Sequence, residues 1–351
     1  MAATPPQDGG PSTELAERRV LNVTVVLLEE GYASTAIAPI EVFHSAGLLW
    51  NTLNGGTPEP RFRVTTASID GKPVDSVCGI GLTPQHSIRE VKEADIIVLS
   101  ASGLDVQRRI ARNTALLPWL RHWYGRGAYI AAICSGSAFL AEAGLLDGGP
   151  ATSHWALADS LREQYPNVDW QSDRFVTESG RLLCSGGLYA SIDLSLYLVE
   201  KCCGHEVALQ CAKSLLVSMP RQLQSGYSVL PLSRPHSDPA IRASEEHMQA
   251  GFQSELSIEA LAARAAMSPR TFIRRFKAAT GHLPGRYLQL LRTAAAKEML
   301  EQGASSIQQV SERVGYHDVA FFRALFKRHT GMTPAEYRHR FAGMDYRSAA
   351  Q

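Results

Sequence analysis

A duplication in the last third of the chain constrains its fold more than any other feature. "LSIEALAARAAMSPRTFIRRFKAATGHLPGRYLQLLR" (256–292) and "SSIQQVSERVGYHDVAFFRALFKRHTGMTPAEYRHRF" (305–341) match along their lengths, about 50 residues apart. Ser257 and Ser306 each precede an apolar-periodic helix. Each suits an N-cap, because a serine oxygen can accept from the orphan N–H groups of a first turn. Ile258, Leu261 and Ala265 share one helical face, as do Ile307, Val310 and Val314. Short turns at Ala266-Met267 and Gly315-Tyr316 lead into second helices that place Phe272 one turn from Phe276, and Phe322 one turn from Phe326. Both copies close on Thr-Gly-x-x-Pro-x-x-Tyr, as Thr280, Gly281, Pro284 and Tyr287, then Thr330, Gly331, Pro334 and Tyr337. The pattern predicts two tandem helix-turn-helix units joined by a rigid helix over "RYLQLLRTAAAKEMLEQG".

The outward face of each second helix is what would meet a partner. The first copy offers Arg270, Thr271, Arg274 and Lys277; the second offers His317, Asp318, Arg323 and Lys327. Arginine can grip guanine through two N–H bonds, and lysine can hold phosphate. A single basic helix is ordinarily a solvated face. A duplicated unit with matched caps, turns and cores instead points to double-stranded DNA. The connecting helix would set the two reading helices roughly 34 Å apart, in successive major grooves. Charge agrees: residues 1–234 carry 19 Lys+Arg against 23 Asp+Glu, whereas the remainder carries 16 against 11. A basic third thus follows a mildly acidic body.

That body reads differently. "LNVTVVLL" (21–28), "RFRVTTAS" (61–68), "DIIVLS" (95–100), "AYIAAI" (128–133) and "RLLCS" (181–185) are nearly continuous apolar runs. Such runs fit strands whose two faces are both covered. They alternate with helical patterns such as "APIEVFHSAGLLW", "LPWLRHWYGR" and "ASIDLSLYLVEKCCG". The alternation predicts an α/β fold with a doubly wound, mostly parallel sheet, followed by an all-α domain. "SGYSVLPLSRPHSDP" reads as the linker between them. The expected boundaries are a tail over 1–19, the sheet domain over 20–222, a linker over 223–243, the helical domain over 244–342 and a tail over 343–351.

In "AAICSGSAFLAEAGLLDGGPATSHW" a strand runs into Cys134 and the small residues Ser135, Gly136 and Ser137, then into a helical stretch. A strand–turn–helix elbow lifts a thiol above the sheet and aims backbone N–H groups at it. A helix N-terminus there is expected to lower the thiol's pKa. Ser102 and Gly103 follow another strand and, with Cys134, meet the rule that ligands gather at the carboxyl ends of strands. Ser135, His154, Trp155 and Glu41 complete the candidate effector residues, with Tyr32 or Trp155 open to a cation–π contact. His154 is as readily a satisfied, half-buried histidine, and Trp155 reads as core packing before it reads as a cage wall.

Six cysteines lack a framework and no export signal precedes them, so reduced thiols in a cytoplasm are expected. "CCGH" at Cys202–His205 has no second ligand pair and reads as a buried helix end. No motif supports ATP, flavin, nicotinamide or metal, so no cofactor is expected; no apolar run approaches the ~18 residues of a membrane span.

"RVGYHDVAFFRALFKRHTGMTPAEYR" resembles the signature of AraC/XylS-type transcription regulators. "AICSGSAFLAEAGLLDG" with "ATSHW" resembles the DJ-1/PfpI, class I glutamine amidotransferase-like domain in the form carried by GlxA-type regulators, which fuse the two parts. The resemblance implies a flavodoxin-like sandwich as effector domain. It implies control of genes for catabolism of small nitrogenous metabolites, amino acids or quaternary amines, with a homodimer, RNA polymerase as partner and activation as the expected outcome. In the hydrolases of that family a glutamate meets the thiol. Here that position falls at or near Thr35, whose hydroxyl cannot replace a carboxylate. No complete triad can be assembled, so the expectation is a sensor rather than an enzyme. The alternatives are a hydrolase or glyoxalase using Cys134, or a thiol redox sensor, on the same DNA-binding module.

Overall fold

A computed structural model describes residues 19–103, 105–221, 223–227, 236–303 and 305–342. Of the expected tails over 1–19 and 343–351, residues 1–18 and 343–351 lie outside the described residues, as does the linker's centre over 228–235. The chain divides into two compact units, 1–222 and 223–351.

The strands are β1 (Leu21–Val26), β2 (Phe62–Ser68), β3 (Val74–Asp75), β4 (Gly81–Leu82), β5 (His86–Ser87), β6 (Ile96–Leu99), β7 (Tyr129–Ile133), β8 (Pro150–Ala151), β9 (Asp169–Trp170), β10 (Val176–Ser179) and β11 (Leu182–Ser185). Seven form one sheet in the order β10-β11-β7-β6-β1-β2-β5. All its pairs are parallel except β10 with β11. The five apolar runs are its centre; β6 and β11 and most of β1 and β7 are buried because helices cover both faces, whereas β2, nearer the edge, exposes Arg63 and half-buries Val64, Thr65 and Thr66.

The first unit's helices are α1 (Ser34–Ser45), α2 (Leu49–Leu53), α3 (Val106–Arg112), α4 (Leu116–Gly125), α5 (Ser137–Glu142), α6 (Ala158–Gln164), α7 (Ala190–Cys203) and α8 (His205–Ser214). Phe43 of α1, Leu194 of α7 and Cys211 of α8 belong to one apolar cluster. Ile110 of α3, Trp123 of α4 and Phe139 of α5 belong to the cluster on the other face. This is the expected doubly wound fold. The Cys202–His205 stretch ends α7 and opens α8, as read, but Cys202 and Cys203 are half-buried rather than buried.

The second unit is helical: α9 (Pro239–Ala250), α10 (Ile258–Arg264), α11 (Pro269–Thr280), α12 (Pro284–Glu301), α13 (Ile307–Arg313), α14 (Val319–Thr330) and α15 (Pro334–Phe341). Helix α9 begins inside the stretch read as linker, because Asp238 accepts from the Ile241 N–H as an N-cap and Pro239 opens the first turn. The two copies pack alike. Phe276 meets Tyr287 edge-on at 5.3 Å and Phe326 meets Tyr337 edge-on at 5.4 Å. The shared closing motif has a physical cause in each copy. Thr280 and Thr330 donate back to the carbonyls of Phe276 and Phe326, both at 2.8 Å. Gly281 and Gly331 take left-handed φ values of 82° and 77° to end their helices. Pro284 and Pro334 then start the next helix, and the tyrosines fill the core. Among the described residues no helix is long and apolar enough to cross a membrane.

Candidate functional site

Strand β7 ends at Ile133, and the next residue, Cys134, takes φ 54°, a left-handed value that residues other than glycine rarely adopt. A turn over Cys134–Gly136 leads into α5, so the elbow forms as expected. Two hydroxyls hold it: Ser137 and Ser153 each donate to the Cys134 carbonyl at 2.8 Å. Gly136 admits the close approach to β6, since a Cβ there would lie 2.9 Å from the Ser100 carbonyl and 3.0 Å from that of Leu99. Ser102 N–H donates to Ser135 Oγ at 3.0 Å. Thr35 donates to the Tyr32 carbonyl at 2.7 Å and accepts from Ala101 N–H at 3.1 Å. Hydroxyls of Thr35 and Ser135 thus tie the start of α1 and the elbow to the loop after β6.

The expected activation of the thiol is corrected by its burial. Cys134 is 4 % exposed. Burial pushes its thiol up to about 11, and the backbone groups of Ser135 and His154 pull it down without offsetting that. The following helix has only six residues, too short to reverse the balance. His154 approaches the thiol through its backbone. Its ring Nδ1 accepts from Ala156 N–H at 3.1 Å, and the ring stacks obliquely on Trp155 at 5.2 Å. Burial holds its pKa below the ordinary imidazole value. Glu41 is exposed on α1, a helix-face charge rather than part of the buried elbow, and Tyr32 is 37 % exposed. Arg109 of α3 pairs with Glu30 in the loop after β1, and no sequence motif marks either residue.

On the second unit, Arg270, Arg274 and Lys277 are exposed on α11, and Arg323 and Lys327 on α14. Thr271 is half-buried and its N–H donates to the N-cap Ser268. Asp318 is exposed. It precedes α14 as the N-cap, its Oδ1 accepting from Ala320 N–H at 2.8 Å and Phe321 N–H at 3.0 Å. That carboxylate serves the helix terminus, and His317 lies one residue further out. Phe321, at the position matching Thr271, is 50 % exposed and went unnoticed because its neighbour Phe322 carries the core pattern.

A sandwich with a thiol elbow, carrying duplicated helix-turn-helix units, defines the GlxA-type architecture of AraC-family transcription regulators. The DJ-1/PfpI family model matches residues 22–201 and a helix-turn-helix domain model matches residues 261–340. The chain belongs to the DJ-1/PfpI family, in the branch that couples the sandwich to this helical module. It is similar to the HTH-type transcriptional regulator CdhR of Pseudomonas aeruginosa, 28% identical over 313 residues, 88% of this chain and 87% of that protein. It is 29% identical over 286 residues to the HTH-type transcriptional regulator GlxA of Rhizobium meliloti, covering 80% of this chain and 86% of that one. A solved structure of a protein from Vibrio parahaemolyticus matches the fold at a TM-score of 0.50 and 21% identity, over 56% of this chain and 100% of that one.

Proposed function

We propose that this DNA-binding regulator senses a small nitrogenous metabolite, an amino acid or quaternary amine, in its DJ-1/PfpI domain without turning it over. The observation that carries the reading is the state of the elbow. The thiol is buried and protonated, and Thr35, at or near the position where the family resemblance leads one to look for the acid, has its hydroxyl spent on two backbone groups. Acyl transfer would need a thiolate, a base in reach and something to orient the base. His154 has one ring nitrogen committed to a backbone N–H. The candidate effector residues are Ser102, Gly103, Cys134, Ser135, His154 and Trp155. Arg270, Arg274, Lys277, Arg323 and Lys327 would contact promoter DNA, and the regulator would act as a homodimer with RNA polymerase as a further partner.

The left-handed Cys134 favours a second reading, a hydrolase, because strain of that kind also presents nucleophiles. One experiment separates them. Wild type and Cys134→Ala are melted across a panel of amino acids, quaternary amines and small aldehydes, and each compound is assayed afterwards. A compound that raises the melting temperature of both proteins and is recovered unchanged fits a sensor. Consumption by wild type alone makes the elbow an active site and defeats the sensory reading.

A further inference from the structure

The register between the two reading helices is fixed by their cores, since the buried Phe272 and Phe276 of α11 match the buried Phe322 and Phe326 of α14. That register sets Arg270, Arg274 and Lys277 against Ala320, Ala324 and Lys327. The members of each trio follow one another turn by turn along a single helical stripe, and all six residues are exposed. The lysine is common to both copies, whereas the two arginines that can fork onto guanine are alanines in α14. Beside those alanines stands Phe321, 50 % exposed, where α11 carries Thr271.

A solitary exposed phenylalanine ordinarily calls for no explanation. Phe321 differs in its place, its support and its surroundings. It lies in the first turn of α14, where its N–H donates to the N-cap Asp318 at 3.0 Å, and the first turn of a second helix is the part that reaches base edges. Its ring is braced from below: Tyr316 packs obliquely against it at 5.7 Å, and the Arg292 guanidinium lies over the Tyr316 ring at 4.8 Å. Arg292 is itself anchored by donating to the carbonyls of Phe252, Ser254 and Gly315. The other exposed side chains of α14 include Arg323, Lys327 and Arg328, a cationic frame that suits phosphates on either side of a groove.

Ala320, Phe321 and Ala324 carry no side-chain donor or acceptor, so this part of the face cannot read a base edge by hydrogen bonds. The apolar group that a base presents in the major groove is the C5-methyl of thymine, and alanine and phenylalanine side chains both suit it. We propose that Phe321, flanked by Ala320 and Ala324, reads thymine methyls while Arg270 and Arg274 read guanine, so that the two units select different base chemistry in the two halves of one operator. Arg323, on the other side of the stripe, can still fork onto a neighbouring guanine. The inference rests on the DNA-contacting role given above to α11 and α14, and deepens it by naming what each copy recognises.

The test uses full-length protein at one fixed salt concentration. A preferred duplex is selected from a random library, and each of its thymines is replaced in turn by deoxyuridine, which lacks only the C5-methyl. Kd is measured by fluorescence anisotropy for wild type, Phe321→Ala, Phe321→Gln and Arg270→Ala. In wild type at least one replacement is expected to raise Kd about fourfold, the worth of one methyl-sized group taken out of water. In Phe321→Ala the same replacement should change Kd by about twofold or less, because the ring that met the methyl is gone. Phe321→Gln, a polar side chain at an exposed position, should lose the penalty likewise, and it carries the test if Phe321→Ala does not fold. Arg270→Ala should bind the site more weakly yet keep the full penalty at that thymine. Absence of any deoxyuridine penalty in wild type, an undiminished penalty in the Phe321 variants, or its loss in Arg270→Ala as well overturns the proposal and leaves a sequence-specific regulator standing. A wild type from which no preferred duplex emerges removes the sequence-reading role of these helices, and the proposal with it.

Discussion

At the scale of single residues, two thiols and one imidazole show environment overriding residue type. Cys78 is exposed, and the Ser76 hydroxyl beside it lowers its pKa, whereas burial holds Cys134 at about 11. Only a thiolate alkylates, and at pH 8 a thiol titrating near 11 is ionised to about one part in a thousand. Native protein treated briefly with iodoacetamide should therefore carry label at Cys78 long before Cys134, as peptide mapping would resolve. Preferential labelling of Cys134 would contradict the buried, protonated elbow. His329 on α14 makes the pH argument. Burial first, then Arg286 and Arg328, lower its pKa to about 4, and Arg286 Nη1 lies 3.4 Å from its Nε2. The folded state thus refuses a proton that the unfolded chain accepts near 6.5. Stability from this group is whole above 6.5 and falls as pH drops from there toward 4. The loss should reach about 1–2 kcal/mol by pH 5. His329→Gln should flatten that part of the stability profile in urea titrations; an unchanged profile would remove His329 as its cause.

At the scale of elements, the two helix-turn-helix copies offer an internal comparison. Their turns place Ala266 at φ 52° and Gly315 at φ 87°, the same left-handed corner filled by different residues. An alanine pays roughly 1 kcal/mol in that region, so Ala266→Gly is expected to be neutral or to stabilise slightly. The reverse change at Gly315 is barred by space as well. A Cβ there would lie 2.4 Å from the Gln253 carbonyl and 2.9 Å from the Arg292 guanidinium, which itself donates to the Phe252 carbonyl at 2.8 Å. Gly315→Ala should cost several kcal/mol, about 3 or more, as backbone strain and displaced hydrogen bonds combine. Thermal melts of the two variants should move in opposite directions or leave Ala266→Gly unmoved. The repeat was legible in sequence because caps, turn and core recur together. The five central strands were legible because burial on both faces makes them continuous apolar runs. The two-residue pairs β3–β4 and β8–β9 show no period for a sequence to carry. Asp318 looked like a reading-face residue because capping and DNA contact draw on the same polar side chains at a helix start. Arg109 was invisible for a related reason: in "DVQRRIARN" nothing marks which arginine turns inward.

At the scale of the whole molecule, function follows from placing opposite electrostatic characters on one chain. The acidic first part suits soluble sensing, and the basic last part suits a polyanion. Six exposed cations lie on α11 and α14, namely Arg270, Arg274, Lys277, Arg323, Lys327 and Arg328. If both helices engage the duplex, each lysine releases counterions without reading sequence, while an arginine fork on guanine discriminates. Lys277→Ala and Lys327→Ala should each weaken binding to specific and random duplexes alike. Each should also reduce the slope of log K against log salt by about 1. Arg270→Ala or Arg323→Ala should instead cost about 1–3 kcal/mol on the specific site and narrow its margin over random DNA. Fluorescence anisotropy over a salt series, with both duplexes, measures all four. Should the α14 variants keep wild-type affinity, slope and margin while those on α11 do not, one unit alone would hold the DNA. The second copy would then owe its matched caps and aromatic core to stability rather than to recognition.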